Sequence, residues 1–381
     1  MNEATSNQPQ LTTGAGAYAA PGRVNLIGEH TDYTGGFVLP MAIDFETVAR
    51  ISPRADRMLH LRSESFGDAP TYSLDDFPAY GRRHWSDYPA GVVKMLREAG
   101  VDVEGFDLVL SSNVPLGAGL SSSASVEVAT AIAVLQRAGA MLPAAEIALL
   151  CQRAENQFVG GSCGIMDQFI SVNGRRGHAL MLDCRSLEFE LLPLPASVSI
   201  VICNSMVKHE VAHGEYGDRR GEVEEGQAAI HAMRPEITLL RDATLADLEA
   251  ARGTMSDAAF HRCRHIITEN ARVLKARPAL ESGDLRTFGE LMIEAHASFR
   301  DDFAASCAEV DALVEMALTL PGCFGARITG GGFGGCTVNV VARDRAEGFR
   351  EALVAGYQER FGITAECYIS GAADGALARL R

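Results

Sequence analysis

The segment Pro115-Leu-Gly-Ala-Gly-Leu-Ser-Ser-Ser-Ala-Ser125 constrains this chain more than any other, because its run of small residues opens onto the apolar stretch Val126–Leu135. Glycine permits tight turns and leaves main-chain N–H groups open to an incoming anion, and serine is a good helix cap. A stretch that is apolar nearly all round belongs in a core, so the pattern predicts a glycine loop opening a buried helix. Such a loop can cradle phosphate oxygens with its amides and a helix N-terminus, while a serine hydroxyl can ligate Mg²⁺. The same residues also suit a plain turn that caps a core helix. The loop lacks the lysine of G-x-x-x-x-G-K-[ST] and the chain lacks H-R-D, which excludes a Walker A loop and a protein-kinase catalytic loop.

A chain of 381 residues, 47% hydrophobic, can bury a core in each of two or three domains. No apolar run approaches the roughly 18 residues of a membrane span. Met1–Thr13 is polar without the basic-then-apolar order of a leader, and residues 1–13 read as a disordered tail. A net charge of −15 argues against nucleic acid or an anionic membrane as partner. An anionic nucleotide is still admissible where backbone amides and a cation act locally. Nine scattered cysteines without a C-x-x-C pair read as reduced thiols in a reducing cytoplasm.

Hydrophobic periodicity predicts strands over 37–43, 47–51, 58–62, 106–110, 199–203, 324–329, 336–342 and 364–369. Helices are predicted over 88–99, 144–158, 219–233, 256–276, 284–302, 306–319 and 345–360, and a glycine break at 160–164 leads into the apolar segment 165–172. A change from mixed strands to long helices sets a boundary near 196–198.

Three further groups carry chemistry. Arg23, Glu29, His30, Asp32 and Tyr33 fall within eleven residues among turn glycines, which suits a polyhydroxylated ligand or a solvated polar loop. Asp167 lies in the apolar run Ile165–Ile170 and should be partly desolvated unless paired. That makes it a candidate base with Arg23 as partner, or a buried cap or ion pair, and Glu155 ends the helix before it. Two other matches lead nowhere. His209-Glu-Val-Ala-His213 fits the H-E-x-x-H zinc pattern, but Gly214 follows at once and leaves too short a helix. Gly330-Gly-Gly-Phe-Gly-Gly335 fits G-x-G-x-x-G but precedes a strand, so it is no dinucleotide fingerprint. His261 and His265, beside Arg262 and Arg264, read as a solvated helix face.

Gly22–Pro40 (GRVNLIGEHTDYTGGFVLP) closely resembles the galactokinase signature. Pro115–Ser125 resembles the phosphate-binding motif of the GHMP kinase superfamily, and Gly325–Thr337 (GARITGGGFGGCT) its C-terminal motif. Cys163–Ser171 and Glu215–Arg220 match galactokinase patterns in order and spacing, so the resemblance spans about 17 to 342. Ala118 stands where a glycine is common, and Gly217-Asp218 replaces the usual Asn-x. The resemblance implies an α+β fold: an N-terminal mixed-sheet domain (14–197), a C-terminal ferredoxin-like domain (198–381), and an active site in the cleft between them. It implies ATP-dependent phosphorylation of D-galactose at the C1 hydroxyl by a cytoplasmic monomer or weak oligomer. The alternatives are a related N-acetylgalactosamine kinase or a non-catalytic galactose and ATP sensor.

Carried over by position, Gly117, Ala118, Gly119, Leu120, Ser121, Ser122 and Ser123 would cradle the ATP phosphates, with Ser123 and Glu155 holding Mg²⁺. Glu29, His30, Thr31, Asp32, Gly164 and Tyr216 would bind the sugar. Asp167 would be the general base and Arg23 would stabilise the transferred charge. Trp85 resembles the region beside the adenine pocket.

Overall fold

The computed structural model describes residues 16–208 and 212–380, the side chains of 208 and 212–216 excepted. The first half runs β1 (Gly16–Asn25), β2 (Phe37–Val38), β3 (Pro40–Pro53), β4 (Met58–Ser63), β5 (Thr71–Ser73), α1 (Asp87–Glu98), β6 (Phe106–Ser112), α2 (Ser122–Arg137), α3 (Ala144–Arg153), α4 (Met166–Asn173), β7 (His178–Asp183) and β8 (Phe189–Pro193). A five-stranded sheet has the order β1-β3-β6-β4-β5, with β4 and β6 parallel and the other pairs antiparallel. The strands expected over 37–43 and 47–51 are instead a two-residue piece and one long strand, with no glycine or proline to interrupt Asp44-Phe45-Glu46. Helix α2 is buried from Ala124 to Leu135 almost without a break and lies across β1 and β3, as its apolar sequence requires. A small sheet, β2-β7-β8, completes this half.

The second half runs β9 (Val198–Lys208), α5 (Ala212–Met233), α6 (Leu245–Ala251), α7 (Asp257–Ser282), α8 (Leu285–Ser298), α9 (Ala308–Thr319), β10 (Cys323–Thr329), β11 (Gly334–Ala342), α10 (Ala346–Phe361) and β12 (Glu366–Ser370). Its antiparallel sheet has the order β10-β11-β9-β12, which is the ferredoxin-like arrangement that the resemblance implies. Helix α7 continues through Pro278, beyond the expected end at 276. The carbonyl that loses its partner belongs to the exposed Leu274, where water can serve it. The short helix α6 was not expected.

One cysteine expectation is corrected. Cys203 on β9 and Cys367 on β12 face each other in register and are joined in a disulfide, while seven other cysteines are free. Strand pairing brings together residues 164 positions apart, which spacing alone does not reveal. No helix among the described residues is long and apolar enough to cross a membrane.

The halves meet where β10, an edge strand of its sheet, reaches the end of β1. The Asn25 N–H donates to Thr329 Oγ1 at 3.0 Å, and that hydroxyl lies 3.2 Å from Asn25 O. Edge strand β10 is held in turn by α8 through glycine contact. A Cβ on Gly289 would lie 1.8 Å from Phe324 O, so helix and strand touch backbone to backbone. Gly289→Ala is therefore expected to cost about 1–3 kcal/mol in urea unfolding with an unchanged slope. Gly348 on α10 faces open space, and Gly348→Ala should leave stability the same or higher.

Candidate active site

The sugar loop leaves β1 at Asn25 and returns at Phe37. Glu269 on α7 accepts from Gly28 N at 2.8 Å and Glu29 N at 3.4 Å, which turns both amides toward the second half. Thr31 is fully buried, and its hydroxyl lies 2.9 Å from Gly28 O and 2.6 Å from Phe37 O. It thus shapes the loop and is not among the residues lining the cavity. Folded this way, the loop presents Glu29, His30 and Asp32 to a cavity of about 260 Å³ that Arg23, Glu155, Gly164, Asp167, Gly330 and Gly331 also line.

Arg23 and Asp167 form a two-bond pair, Nε to Oδ1 at 2.7 Å and Nη2 to Oδ2 at 2.6 Å. The remaining nitrogen, Nη1, donates to Gly119 O at 2.5 Å, which fastens the phosphate loop to the same guanidinium. Burial would lower the Arg23 pKa, but Asp167, Glu29 and Asp32 together raise it, so the guanidinium stays charged.

In the phosphate loop Gly117, Gly119 and Ser121 have φ of 65°, 78° and 58°. Alternate left-handed residues of this kind coil the backbone into a concave turn. Ser121 precedes α2 but does not cap it; its hydroxyl donates to Asp167 Oδ2 at 2.5 Å. Ala118 and Leu120 point into the core. The glycine turn 330–335 lies against this loop, since a Cβ on Gly330 would be 3.1 Å from Gly119 O and one on Gly335 3.2 Å from Ala118 O.

Glu155 sits on a π-helical turn, Ala154–Val159, that ends α3, where a helix continuing to Phe158 was expected. Single π turns often re-aim a side chain at a functional site. Gln168 Nε2 donates to Glu155 Oε2 at 2.9 Å and to Glu127 Oε2 at 3.0 Å. Burial and the nearby Asp167 push Glu155 up to about 7, and its bonds to Cys163 and Ser123 work against that rise. Burial, then Glu155, pushes the Glu127 carboxyl well up. The oxygens of Ser123 and Glu155 thus share one spot, a donor set that suits Mg²⁺ completed by phosphate oxygens. The described residues hold no group of three His, Cys, Asp or Glu arranged for a metal.

Gly164 lets Asp32 into the cavity wall, since a Cβ there would lie 1.9 Å from Asp32 Oδ2. Burial, then Asp167 and Glu29, raises Asp32 to about 6. Burial likewise pushes Glu29 up, against the pull of Arg327 and Arg23. His30 packs its ring on Phe303 at 4.1 Å between centroids, with Tyr33 Oη 3.3 Å from its Nδ1. Burial lowers it to about 3, so it is a neutral ring at physiological pH. An adjoining pocket is lined by Ser63, Phe66, Trp85, Tyr88, Ser122 and Ser123 among others, with Trp85 stacked parallel to Phe66 at 5.7 Å.

Several participants escaped the sequence reading. Glu127, Gln168, Glu269, Arg327, Phe299 and Phe303 carry no local signal beyond Gln168 standing next to Asp167. The solvated reading of the 261–265 face is corrected in part. His261 is half-buried and His265 is fully buried, with Nδ1 2.9 Å from Ser298 Oγ and Nε2 3.3 Å from Glu29 O. Arg262 is buried as well. The side chain of Tyr216 falls outside the described residues, as do residues 209–211 and the side chains of Ala212 and His213 in the His209-Glu-Val-Ala-His213 match.

The model of the galactokinase galactose-binding signature matches residues 9–53, that of the GHMP kinases N terminal domain 87–175, and that of the GHMP kinases C terminal 276–359. A galactokinase of Roseiflexus sp. (strain RS-1) is 46% identical over 93% of this chain and 91% of its own length. The Homo sapiens galactokinase is 46% identical over 94% of this chain and 91% of its own. The crystal structure of Lactococcus lactis galactokinase complexed with galactose superposes with a TM-score of 0.92 at 34% identity, covering 96% of this chain and 95% of that one. The Methanococcus jannaschii mevalonate kinase, 18% identical with a TM-score of 0.65, covers 96% of this chain and 100% of its own and shares the fold.

The raised Asp32 has a consequence for stability. A carboxyl whose folded pKa is about 6 against an ordinary 3.8 binds protons more tightly when folded, so it costs stability as pH rises from about 4 through about 6. Ligand-free Asp32→Asn should therefore resist urea better than the parent at pH 7.5, with the gap closing near pH 4. A gap that widens at acid pH would contradict this.

Proposed function

Because the chain belongs to the galactokinase family of GHMP kinases, we propose a division of labour among its residues that follows from the site geometry. The chain is a kinase that phosphorylates D-galactose with ATP at the C1 hydroxyl. In our reading the sugar lies in the cavity walled by Glu29, His30, Asp32 and Gly164, and the phosphates lie against the loop 117–123. The observation that carries this is Asp167, bonded at once to Arg23 and to Ser121 of the phosphate loop, at the seam between the two. Tyr216 remains a proposed sugar contact from its motif alone. Trp85 and Phe66 offer a flat apolar slot for a base beside Ser122 and Ser123.

Phosphoryl transfer asks mainly for in-line placement and for stabilisation of charge on the moving group. Main-chain amides of the loop and the Arg23 guanidinium supply directed donors without a Walker lysine. Ser123 and Glu155 would hold Mg²⁺, whose charge, when bound, offsets that of the nucleotide phosphates. Asp167 accepts three hydrogen bonds, two from Arg23 and one from Ser121, which fix its carboxyl at this seam. We propose that it takes the hydroxyl proton late, after the bond to the leaving ADP has loosened.

We also propose the two-domain division at 197/198. The four-stranded sheet opening at Val198 supports it, and Ala373 and Ala376 return to the core of the first half. A cytoplasmic location, with the chain a monomer or weak oligomer, belongs to the same proposal. The seven free cysteines fit that location, and the Cys203–Cys367 disulfide does not.

Two outcomes test this reading. Asp167→Ala should keep ATP affinity and lose at least about 10²-fold in kcat, and near-normal turnover would remove Asp167 from its role. Glucose should be poorer than galactose in kcat/KM by about 10²-fold or more, since polar groups set for an axial hydroxyl are left unpaired by its epimer. A coupled ADP-release assay reads both.

A further inference from the structure

We propose that Arg327 is a positioning residue for sugar binding that works through the Glu29 carboxylate from behind the cavity wall. The inference rests on the reading of Glu29 as a sugar contact. Arg327 lies on β10, is 0% exposed, and heads the largest fully buried side chains of the described residues. Its Nη1 stands 3.5 Å from Glu29 Oε1 and 3.5 Å from Asn25 O, at the root of the sugar loop. Gly330 N also donates to Oε1, at 2.9 Å. Arg327 and Gly330 both meet Oε1, which leaves Oε2 as the oxygen that neither engages, on a residue lining the cavity.

Charge counting shows why a cation stands there. Two carboxylates, Glu29 and Glu269, are buried side by side, with Glu269 holding the amides of Gly28 and Glu29. Glu269 has its own partner, Arg272, whose Nε donates to Oε2 at 2.7 Å. A second guanidinium is required only by the second carboxylate. Nε and Nη2 of Arg327 have no protein partner, so the side chain is not explained as a structural hydrogen-bond hub. A buried ion pair is rarely worth more to stability than an apolar pair of similar volume, so its presence points to another need. A carboxylate that must accept a bond from a sugar hydroxyl gains from being held ionised and in one orientation.

Other charged or titratable groups also face Glu29: Arg23 and Asp32 from the cavity side, His265 and Glu269 from α7, and His30 from its own loop. Without Arg327, the nearest cation left to Glu29 is Arg23, already engaged by Asp167. Glu29 would then take up a proton at higher pH, and its bond to the sugar would lose charge assistance.

The test is calorimetric titration of galactose and, separately, of ATP into the full-length parent, Glu29→Ala, Arg327→Met and Arg327→Lys from pH 5 to 9. Arg327→Met should weaken galactose binding at pH 7.5 by about tenfold or more, leave ATP affinity unchanged, and move the acid limb of galactose affinity to higher pH. Arg327→Lys should bring that limb back toward the parent's. A folded Arg327→Met with the parent's galactose affinity and pH profile overturns the inference. Glu29→Ala with undiminished galactose affinity would instead sink the reading of Glu29 itself. Should Arg327→Met fail to fold, Glu29→Gln/Arg327→Met removes both charges together. Recovered folding of that double variant supports the pairing, and continued failure overturns it.

Discussion

Two bonds from the Arg23 guanidinium to Asp167, and a third to Gly119 O, tie strand β1, helix α4 and the phosphate loop into one unit. The Arg23 N–H also donates to Leu120 O at 3.1 Å, and Ser171 Oγ to Pro21 O at 2.7 Å, so the same three elements are held by contacts with the main chain as well. The guanidinium fork adds direction, because its donors are planar and rigidly spaced. The pair is 7% and 22% exposed on its two sides, so it sits where water screens little. Removing one partner from such a pair costs about 3–5 kcal/mol, since the other is left charged and buried. The residues that would do the chemistry are therefore also among those that hold the site in shape.

Around this pair the site is short of positive charge. Glu29, Asp32, Glu155 and Asp167 line one cavity, with Glu127 just behind, against Arg23 and the buried Arg327. Asp32 near 6 and Glu155 near 7 report that shortage, burial first and neighbouring carboxylates second. Such crowding is common where a ligand completes the electrostatics. In the proposed assignment a sugar would bring hydroxyl donors to Glu29 and Asp32, and a cation would bring charge to Glu155. A chain of net charge −15 can in this way bind an anionic nucleotide, because amides and a metal act at short range while the distant charge is screened.

What could be read from sequence was local. The small-residue loop and its buried helix were legible because composition and period coincide within twenty residues. Asp167 was legible because an acid in an apolar run needs a partner, although the partner, Arg23, stands 144 positions away in the first motif. Glu269 and Arg327 were not legible, since their meaning comes from Glu29, some 240 and 298 positions away in the chain. His265 was misread because arginines flank it, although its partners are Ser298 and the Glu29 carbonyl, 33 and 236 positions distant. Serines beside a helix start suggested caps, but Ser121 turns its hydroxyl to Asp167 because φ of 58° aims it away from the helix amides. Chemistry took the side chain that local rules would have assigned to structure.

Adjacent residues on α4 finally link Asp167 to Glu155. Asp167 bonds the arginine, and Gln168, about 100° further round the helix, spans Glu127 and Glu155 with one amide nitrogen. Asp167 and Gln168 share this helix end, while Glu155 stands on its own π turn and is joined to it through the Gln168 bond. The π turn under Glu155 serves the same end, since an ordinary helical turn would step its side chain to a different face. In-line transfer needs the acceptor oxygen and the phosphoryl group held in register, and a single helix start carrying both anchors supplies that register more reliably than two independent loops could.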